Sequence, residues 1–300
     1  CMRSNPVLSK LGFADTDRVA IIHVDDVGMC QASIAAFAEL WSFGLITCGA
    51  VMMPCPWSLE AAKFACLHPE ADLGVHLTLN SEWETYRWGP VSTRDPATGL
   101  LDEQGCLHRS SAAVQQQADP AAVQRELAAQ IELARANGIQ PTHADTHMGT
   151  VAHPKFIQSY LQTAMQYGLP PMMLRLDEAG WRRLNLGLDE ETIAQVVRMI
   201  VTLEDMGLPL LDNITGMPLD TDPALRFEHT KAVFDSLPAG ITHFLMHAAH
   251  DTPELRAITP DWACRAADYR TFLRDDLRQY LRQIGVQTIG YRAIQALMPG

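Results

Sequence analysis

The stretch RVAIIHVDDVGM, residues 18–29, decides the fold prediction, because it joins a buried strand to a pair of acidic residues and a turn. Its first part, Arg18–Val24, is a short apolar run that predicts a strand. Helical spacing follows almost at once, since one face of the segment Gln31–Phe43 carries Ile34, Phe37, Ala38 and Trp41. A strand followed by an amphipathic helix is the repeating unit of α/β folds.

The same unit recurs along the chain. The other apolar runs predicted as strands are Ile46–Met52, Asp72–Leu77, Thr142–Asp145, Met172–Leu176, Leu208–Asp212, Ile241–His247 and Val286–Ile289. Further segments with helical spacing are Pro120–Asn137, Ile193–Met206, Pro223–Ser236 and Trp262–Ile284. This repetition predicts a parallel sheet covered by helices, and seven or eight units predict a closed or distorted (β/α) barrel that forms one domain over residues 1–300. A site in such a barrel lies at the carboxyl ends of the strands.

One segment, residues 80–118, breaks this rhythm after the third strand. It has no strong hydrophobic period, and it contains Trp83, Tyr86 and Trp88 among several proline and glycine residues. Loops of this length in compact domains are usually functional or disordered, and the aromatic residues argue against disorder. We therefore expect an insertion that acts as a lid on the barrel.

Composition excludes several classes of protein. Hydrophobic residues make up 47% of the chain and charged residues 19%, which rules out intrinsic disorder and a coiled coil. The formal net charge of −12 argues against binding to nucleic acid or to an anionic membrane surface. The 7 cysteines show no C-x-x-C spacing, which favours free thiols in a reducing compartment. Without a signal-peptide core or a membrane-spanning apolar run, a cytoplasmic protein is expected; Cys1, which precedes Met2, is left out of the fold prediction.

Acidic residues and histidines gather at the ends of predicted strands. The four clusters are Asp25 and Asp26 in VDDVG, His76 in GVHL, His143, Asp145 and His147 in THADTH, and His243, His247, His250 and Asp251 in THFLMHAAHD. Each has an ordinary structural explanation. Adjacent carboxylates form solvated turns and helix caps, a strand-end histidine is commonly a hydrogen-bonded structural residue, and Asp145 could serve only to orient a histidine. The alternation in THADTH is harder to explain in this way, because it puts three polar side chains on one face.

Taken together, these residues suffice for metal-assisted hydrolysis. One carboxylate and two imidazoles bind a divalent metal and leave positions open for water, which is typical of catalytic sites. A second aspartate then serves as a base and a further histidine as an acid.

In this order the motifs resemble those of the YdjC-like family of carbohydrate deacetylases, which is distantly related to the polysaccharide deacetylases. The resemblance rests on DDVG at Asp25–Gly28, GVHL at Gly74–Leu77, THADTH at Thr142–His147 and MHAAHD at Met246–Asp251. It implies a distorted (β/α) barrel with one divalent ion, Zn²⁺ or Mg²⁺, at its mouth. The residue roles that the resemblance implies are Asp25 as general base, Asp26, His76 and His147 as metal ligands, His247 as acid, and Arg175 as the residue that orients Asp25 or the substrate.

We therefore expect a metal-dependent hydrolase that removes an acetyl group from an N-acetylated sugar or a related carbohydrate. Trp83 and Trp88 are expected either to stack on sugar rings or to pin the insertion to the barrel, and His143 and Asp145 are further candidate substrate contacts. Two alternatives stay open: a metal-dependent phosphoesterase, which usually has a two-metal site, and a non-catalytic sugar-binding or regulatory protein with a decayed site. The expected partner is a small carbohydrate; some members of the family are dimers, so the resemblance leaves a homodimer open.

Overall fold

The centre of the molecule is a parallel sheet of seven strands. The computed structural model describes residues 4–184 and 187–299, so Cys1 lies outside the described residues. The strands are β1 (Arg18–Val27), β2 (Cys48–Val51), β3 (Leu73–Leu77), β4 (Ala144–Thr146), β5 (Asn213–Gly216), β6 (Gly240–Met246) and β7 (Val286–Thr288). Their order is β4-β3-β2-β1-β6-β5, and β7 pairs with the first residues of β1.

The sheet curls into a distorted barrel. Isolated parallel bridges join Ala144 of β4 to Pro171, and Leu174 to Leu211. The next residue, Asp212, donates its N–H to a carbonyl of β6 at 3.0 Å. Backbone hydrogen bonds therefore continue from β4 through these two irregular segments back to β6. This confirms the distorted (β/α) barrel that the sequence predicts, with the carboxyl ends of the parallel strands at one mouth.

Helices cover the outside of the barrel. They are α1 (Pro6–Lys10), α2 (Gln31–Phe43), α3 (Ser58–Leu67), α4 (Ser111–Gln117), α5 (Pro120–Ala136), α6 (Ile157–Gln166), α7 (Glu178–Arg183), α8 (Glu190–Asp205), α9 (Arg226–Asp235), α10 (Pro253–Ile258), α11 (Trp262–Phe272), α12 (Asp275–Gln283) and α13 (Tyr291–Gln295). Short 3₁₀ turns lie at Pro96–Thr98, His147–Ala152 and Pro223–Leu225. Local sequence sets several ends: the carboxylates of Asp119 and Asp189 cap α5 and α8, and Gly44 ends α2 in the left-handed conformation. Among the described helices, none combines the length and the apolarity needed to cross a membrane.

Three predicted elements differ from the structure. The helix predicted at Trp262–Ile284 is divided into α11 and α12, because Arg274 has an extended backbone and two aspartates begin the new helix at its positively polarised end. The strands predicted at Met172–Leu176 and Leu208–Asp212 form only isolated bridges, and the fifth strand begins at Asn213. Both runs are largely buried, so their apolar residues mark the core and not a regular sheet ladder.

The insertion, residues 80–118, packs onto the barrel near the turn that follows β1. The Tyr86 hydroxyl donates to the Met29 carbonyl at 2.5 Å. The carboxylate of Glu126 in α5 accepts from the backbone N–H groups of Val91 and Ser92 at 2.9 and 2.7 Å. Trp88 is buried within the main hydrophobic core. The segment is thus fastened to the barrel by both hydrogen bonds and apolar packing.

Candidate metal centre

The residues of four strand ends meet at the mouth of the barrel. Asp25 and Asp26 lie near the end of β1, His76 lies in β3, and His147 and His247 directly follow β4 and β6. All five line a cavity of about 230 Å³, together with Glu82, Trp83, Met148, Leu219, Asp261 and Arg265. The structure therefore brings together the five residues that the sequence analysis names as base, ligands and acid.

The two neighbouring aspartates reach the same cavity because the backbone between them departs from strand geometry. In a regular strand, successive side chains point to opposite faces of the sheet. Asp26 has a φ of 59°, in the left-handed region, and the register between β1 and β2 shifts between Val24 and Val27. Such a bulge re-aims a side chain, and a non-glycine residue in this region carries strain. The strained residue is thus the one whose conformation lets both carboxylates line the cavity.

Asp26, His76 and His147 form the group that could hold a metal ion. One ligand atom of each lies within 4.8 Å of the others, and all three residues are buried. Asp26 Oδ1 lies 3.2 Å from His147 Nδ1 and 3.4 Å from His76 Nε2. Although Asp26 Oδ1 is shielded from solvent, neither contact has hydrogen-bond geometry, and the atom has no hydrogen-bond partner. An unsatisfied buried carboxylate oxygen that faces two imidazole nitrogens fits a divalent cation.

Two carboxylates contact the imidazole nitrogens of His76 and His147 that point away from Asp26. Asp145 Oδ1 lies 2.9 Å from His76 Nδ1, and Glu82 Oε2 lies 3.1 Å from His147 Nε2. Contacts of this kind fix the orientation of a metal-binding ring and raise its basicity. The structure thus places Asp145 beside the candidate ligand His76, which is the structural alternative named for it above. Sequence patterns did not indicate Glu82, since nothing in an irregular insertion shows which side chain turns toward the barrel.

Arg265 binds the other oxygen of Asp26. Its Nη1 donates to Asp26 Oδ2 at 2.7 Å, and its Nε donates to Asp261 Oδ1 at 2.6 Å. Arg265 belongs to α11, and sequence alone does not show that its side chain crosses to β1. The guanidinium leaves Asp26 Oδ1 as the oxygen that faces the imidazoles.

The charged groups around Asp26, His76 and His147 favour positive charge at this place. Burial alone would raise the pKa of Asp26, but Arg265 and the two imidazoles hold it well below its usual range. Burial would lower the pKa of His76, but Asp145 and Asp25 raise it well above the ordinary value. In the same way, Glu82 and Asp26 outweigh burial and raise the pKa of His147 to about 9. The carboxylates that hold protons on both rings would equally stabilise a divalent ion in their place.

His247 stands beside Asp25 at the rim of the cavity. Its Nε2 lies 3.7 Å from Asp25 Oδ2, and its side chain is 17% exposed. Its Nδ1 is buried without a hydrogen-bond partner. Burial lowers the pKa of His247, against the pull of Asp26 and Asp25. The ring therefore lies close to Asp25, and in its protonated form it gives up a proton more readily than an exposed imidazole does.

Arg175 lies toward the other end of the barrel. Its guanidinium donates to Glu204 Oε1 at 2.6 Å and to Asp212 Oδ1 at 3.1 Å. The other oxygen of Asp212 accepts from the N–H of Ile241, the second residue of β6, whereas His247 follows the end of that strand. The six residue steps from Ile241 to His247 span about 20 Å of strand. The structure thus does not bring Arg175 to Asp25.

The remaining candidate substrate contacts lie in different places. Trp83 lines the cavity, with the Arg265 guanidinium 5.8 Å from its ring centroid. Trp88 is buried beneath it: its ring lies 5.4 Å from that of Trp83, and its Nε1 donates to the Asn80 carbonyl at 2.8 Å. His143 is fully buried inside the barrel and is not among the described residues that line the cavity. Trp83 faces the site, whereas Trp88 fastens the insertion.

Comparison with known proteins agrees with the geometry. The family model described as YdjC-like protein matches residues 19–283. A carbohydrate deacetylase from Thermus thermophilus is 33% identical over 96% of this chain and 98% of its own length. A second carbohydrate deacetylase, from Thermoanaerobacter pseudethanolicus, is 24% identical over 92% of this chain and 98% of its own length.

One solved structure shows the same fold. It comes from Enterococcus faecalis, is proposed to be a cellobiose-phosphate cleavage protein, and superposes with a TM-score of 0.73. The match covers 93% of this chain and 99% of that chain, at 19% identity. At this identity the similarity concerns the barrel itself.

Proposed function

We propose, because the chain belongs to the YdjC-like family, that this protein is a metal-dependent hydrolase that removes an acetyl group from an N-acetylated sugar. The observation that carries the proposal is the buried, unsatisfied Asp26 Oδ1, which faces His76 and His147 at the mouth of the barrel. A divalent ion such as Zn²⁺ or Mg²⁺ held by these three residues would polarise the acyl carbonyl and lower the pKa of a water.

Asp25 is the proposed general base. His76 and His23 outweigh the effect of burial and hold the pKa of Asp25 below its ordinary value, so the carboxylate is ionised at neutral pH. Its Oδ1 is engaged by His23 Nδ1 at 2.6 Å, whereas Oδ2 turns toward the ligand His76, 3.9 Å from its Nε2. The free oxygen is therefore placed to accept the proton of a water that attacks the acetyl carbonyl.

His247 is the proposed general acid. An amide nitrogen cannot leave at neutral pH without a proton, so an acid is required. His247 Nε2 lies 3.7 Å from Asp25 Oδ2, and we propose that the proton that the base takes passes to His247 and on to the leaving nitrogen. The lowered pKa makes the protonated ring a stronger acid than an exposed imidazole.

Trp83 supports a sugar as the substrate. It lies directly after Glu82, which holds the ligand His147, and it forms part of the cavity wall. An aromatic ring offers a broad apolar face to the C–H groups of a sugar ring while its edge stays polar. We propose that Trp83 stacks on the sugar and that Trp88 supports it from the core.

A two-metal phosphoesterase is the alternative that metal content tests. Among the described residues, a second buried group of possible ligands consists of His23, Asp25, Asp145 and His243. Its members are already hydrogen-bonded, His23 to Asp25 at 2.6 Å and His243 to the Tyr291 hydroxyl at 2.9 Å. We therefore expect one bound ion per chain, and two would favour the phosphoesterase.

The direct test is acetate release from a panel of N-acetylated mono- and oligosaccharides. The protein is assayed after chelation and after addition of Zn²⁺ or Mg²⁺, with Asp25→Asn as the matched control. We expect release that depends on the added ion and is lost in the variant. No release from any N-acetylated sugar by the metal-loaded protein would contradict the proposal and favour a binding protein with a decayed site.

A further inference from the structure

A chain of hydrogen bonds runs from the proposed base into the barrel. His23 Nδ1 lies 2.6 Å from Asp25 Oδ1, and His23 Nε2 lies 2.8 Å from His143 Nε2. His143 Nδ1 lies 3.0 Å from the Thr142 hydroxyl, which donates to Asp72 Oδ1. Of the four residues beyond Asp25, only His23 enters the mechanism described above, through its contact with Asp25. Together they form a continuous polar path into the interior of the barrel.

The donors and acceptors along this path fix the protons. The Thr142 hydroxyl has one proton, which it gives to Asp72, so its oxygen accepts from His143 Nδ1–H. Burial and His23 hold the pKa of His143 well below its ordinary value, so this ring is neutral and its Nε2 is an acceptor. His23 Nε2 must then be the donor between the two rings. The ionised carboxylate of Asp25 can only accept, so the contact between His23 Nδ1 and Asp25 Oδ1 requires a proton on Nδ1 as well, and both nitrogens of His23 donate.

The interior is shaped to hold this arrangement. The His143 ring stacks on Tyr291 with centroids 3.9 Å apart and planes inclined by 16°. A Cβ atom at Gly74 would lie 2.5 Å from the His143 ring, so a glycine is needed beside it. His23 and His143 are both 0% exposed. A buried imidazole without partners is costly, so its position and partners are closely specified.

We propose that His23 is a positioning residue for Asp25, held in place by His143, whose own proton position is set by Thr142 and Asp72. The proposal rests on the proposed function, in which Asp25 is the base. The short contact occupies Oδ1 and leaves only Oδ2 toward the cavity, where it lies 3.7 Å from His247 Nε2 and 3.9 Å from His76 Nε2. His23 thus keeps Asp25 from turning onto the metal as a further ligand. This is the orienting role that the sequence analysis gives to Arg175.

Two amide substitutions separate the two sides of the ring. His23→Asn places an amide where Nδ1 stands and can still donate to Asp25. His23→Gln places its amide where Nε2 stands, so it keeps the contact with His143 and loses Asp25. His243→Asn is the matched control, because His243 is an equally buried imidazole whose Nδ1 bonds to Tyr291 and which does not bond to Asp25.

In the metal-loaded protein, we expect His23→Gln to lower kcat about 100-fold, since a misplacement of about 1 Å costs a reacting group that much. KM and metal affinity should stay close to those of the wild type. His23→Asn should retain most of kcat, and His243→Asn should match the wild type. An equal loss in the two His23 variants, or a loss in KM or metal affinity, would show that His23 only packs the interior.

A milder change tests the path beyond His23. Thr142→Val keeps the shape of the side chain and removes the hydroxyl, so the proton position of His143 is no longer set and its Nε2 need not accept from His23. We expect a smaller fall in kcat in the same direction, with Thr142→Ser as the control that restores the hydroxyl and the rate. A Thr142→Val protein as active as the wild type would contradict the role of the path beyond His23.

Crystal structures of the two His23 variants test the proposal about Asp25 without an activity measurement. The Asp25 carboxylate should keep its orientation in His23→Asn and rotate away in His23→Gln. An unchanged Asp25 in both structures would overturn the proposal about His23. Failure of the wild type to release acetate from any substrate would instead contradict the proposed function alone.

Discussion

The mouth and the interior of the barrel both contain buried histidines, but the pKa values of His76 and His147 at the mouth and of His143 and His243 in the interior shift in opposite directions. At the mouth, neighbouring carboxylates raise the pKa of His147 to about 9 and that of His76 well above its ordinary value. In the interior, burial and His23 lower the pKa of His243 to about 3 and that of His143 well below its ordinary value. At His76 and His147 the mouth favours positive charge, whereas the interior disfavours it on His143 and His243. Histidine content alone therefore does not mark a metal site; unsatisfied carboxylate oxygens beside the rings do.

The largest effect should follow from removing the unsatisfied oxygen. We expect Asp26→Asn to lower metal affinity by at least about 100-fold. It should also abolish most activity, since a bound ion would lower the activation barrier by several kcal/mol. Asp25→Asn should keep the metal and lose about 10²–10⁴ in kcat, the range for general base catalysis. Metal content by mass spectrometry and acetate release distinguish the two. A metal-free Asp25→Asn protein would mean that the roles of the two aspartates are assigned wrongly.

The next effect concerns the acid at the rim. His247→Ala should lower kcat about 10²–10⁴-fold on an N-acetyl substrate, because the leaving nitrogen needs a proton. The loss should be much smaller on an activated acetyl ester, whose leaving group departs without protonation. Parallel kcat measurements on the two substrates give the answer. Equal losses would show that His247 positions the substrate or the metal.

A smaller effect should follow from a change at Glu82, whose carboxylate contacts His147 Nε2. Glu82→Gln removes this negative charge beside the ring, so metal affinity should fall by about 10–100-fold. The exposed Glu84 lies in the same insertion, and Glu84→Gln is the matched control with unchanged affinity. Titration of each variant with Zn²⁺ measures the difference. Equal affinities for the two variants would show that Glu82 does not support the metal centre.

The smallest effect belongs to the interior. The folded pKa of His243 is about 3, whereas an unfolded histidine titrates near pH 6.5, so between these values the unfolded chain binds one more proton. The free energy of unfolding should therefore fall as the pH falls through this window, by about 1.4 kcal/mol per pH unit from this residue. His243→Asn should show a shallower fall in urea unfolding between pH 7 and pH 4. Identical slopes would contradict a neutral interior.

The sequence predicts the scaffold well and its long-range contacts poorly. The alternation of strands and helices, the first strand and the bounds of α2 follow from local periodicity, and a barrel then brings strand ends together. The predicted strands at Met172–Leu176 and Leu208–Asp212 are wrong as regular strands, because an apolar run reports burial and does not report hydrogen-bond partners. Local patterns indicate where a residue lies along a helix or a strand, but they do not indicate which distant residues it contacts.

The same limit explains the residues of the site that sequence reasoning did not find. Glu82 and Arg265 reach the candidate ligands from an irregular insertion and from a distant helix, through contacts between residues 65 and 239 positions apart. Arg175 lies near the end of the predicted strand Met172–Leu176, yet its guanidinium turns to Asp212. Side-chain direction over such distances is set by tertiary packing, which periodicity does not encode.

The most direct test is calorimetric titration of the chelated protein with Zn²⁺ at pH 7, in buffers of different ionisation enthalpy. The raised pKa values of His76 and His147 mean that both rings are protonated before the ion binds, and an imidazole must lose its proton to bind a metal. We expect one ion per chain and the release of about two protons, one from each ring. Binding without proton release, or no binding at this site, would contradict a metal centre built from Asp26, His76 and His147.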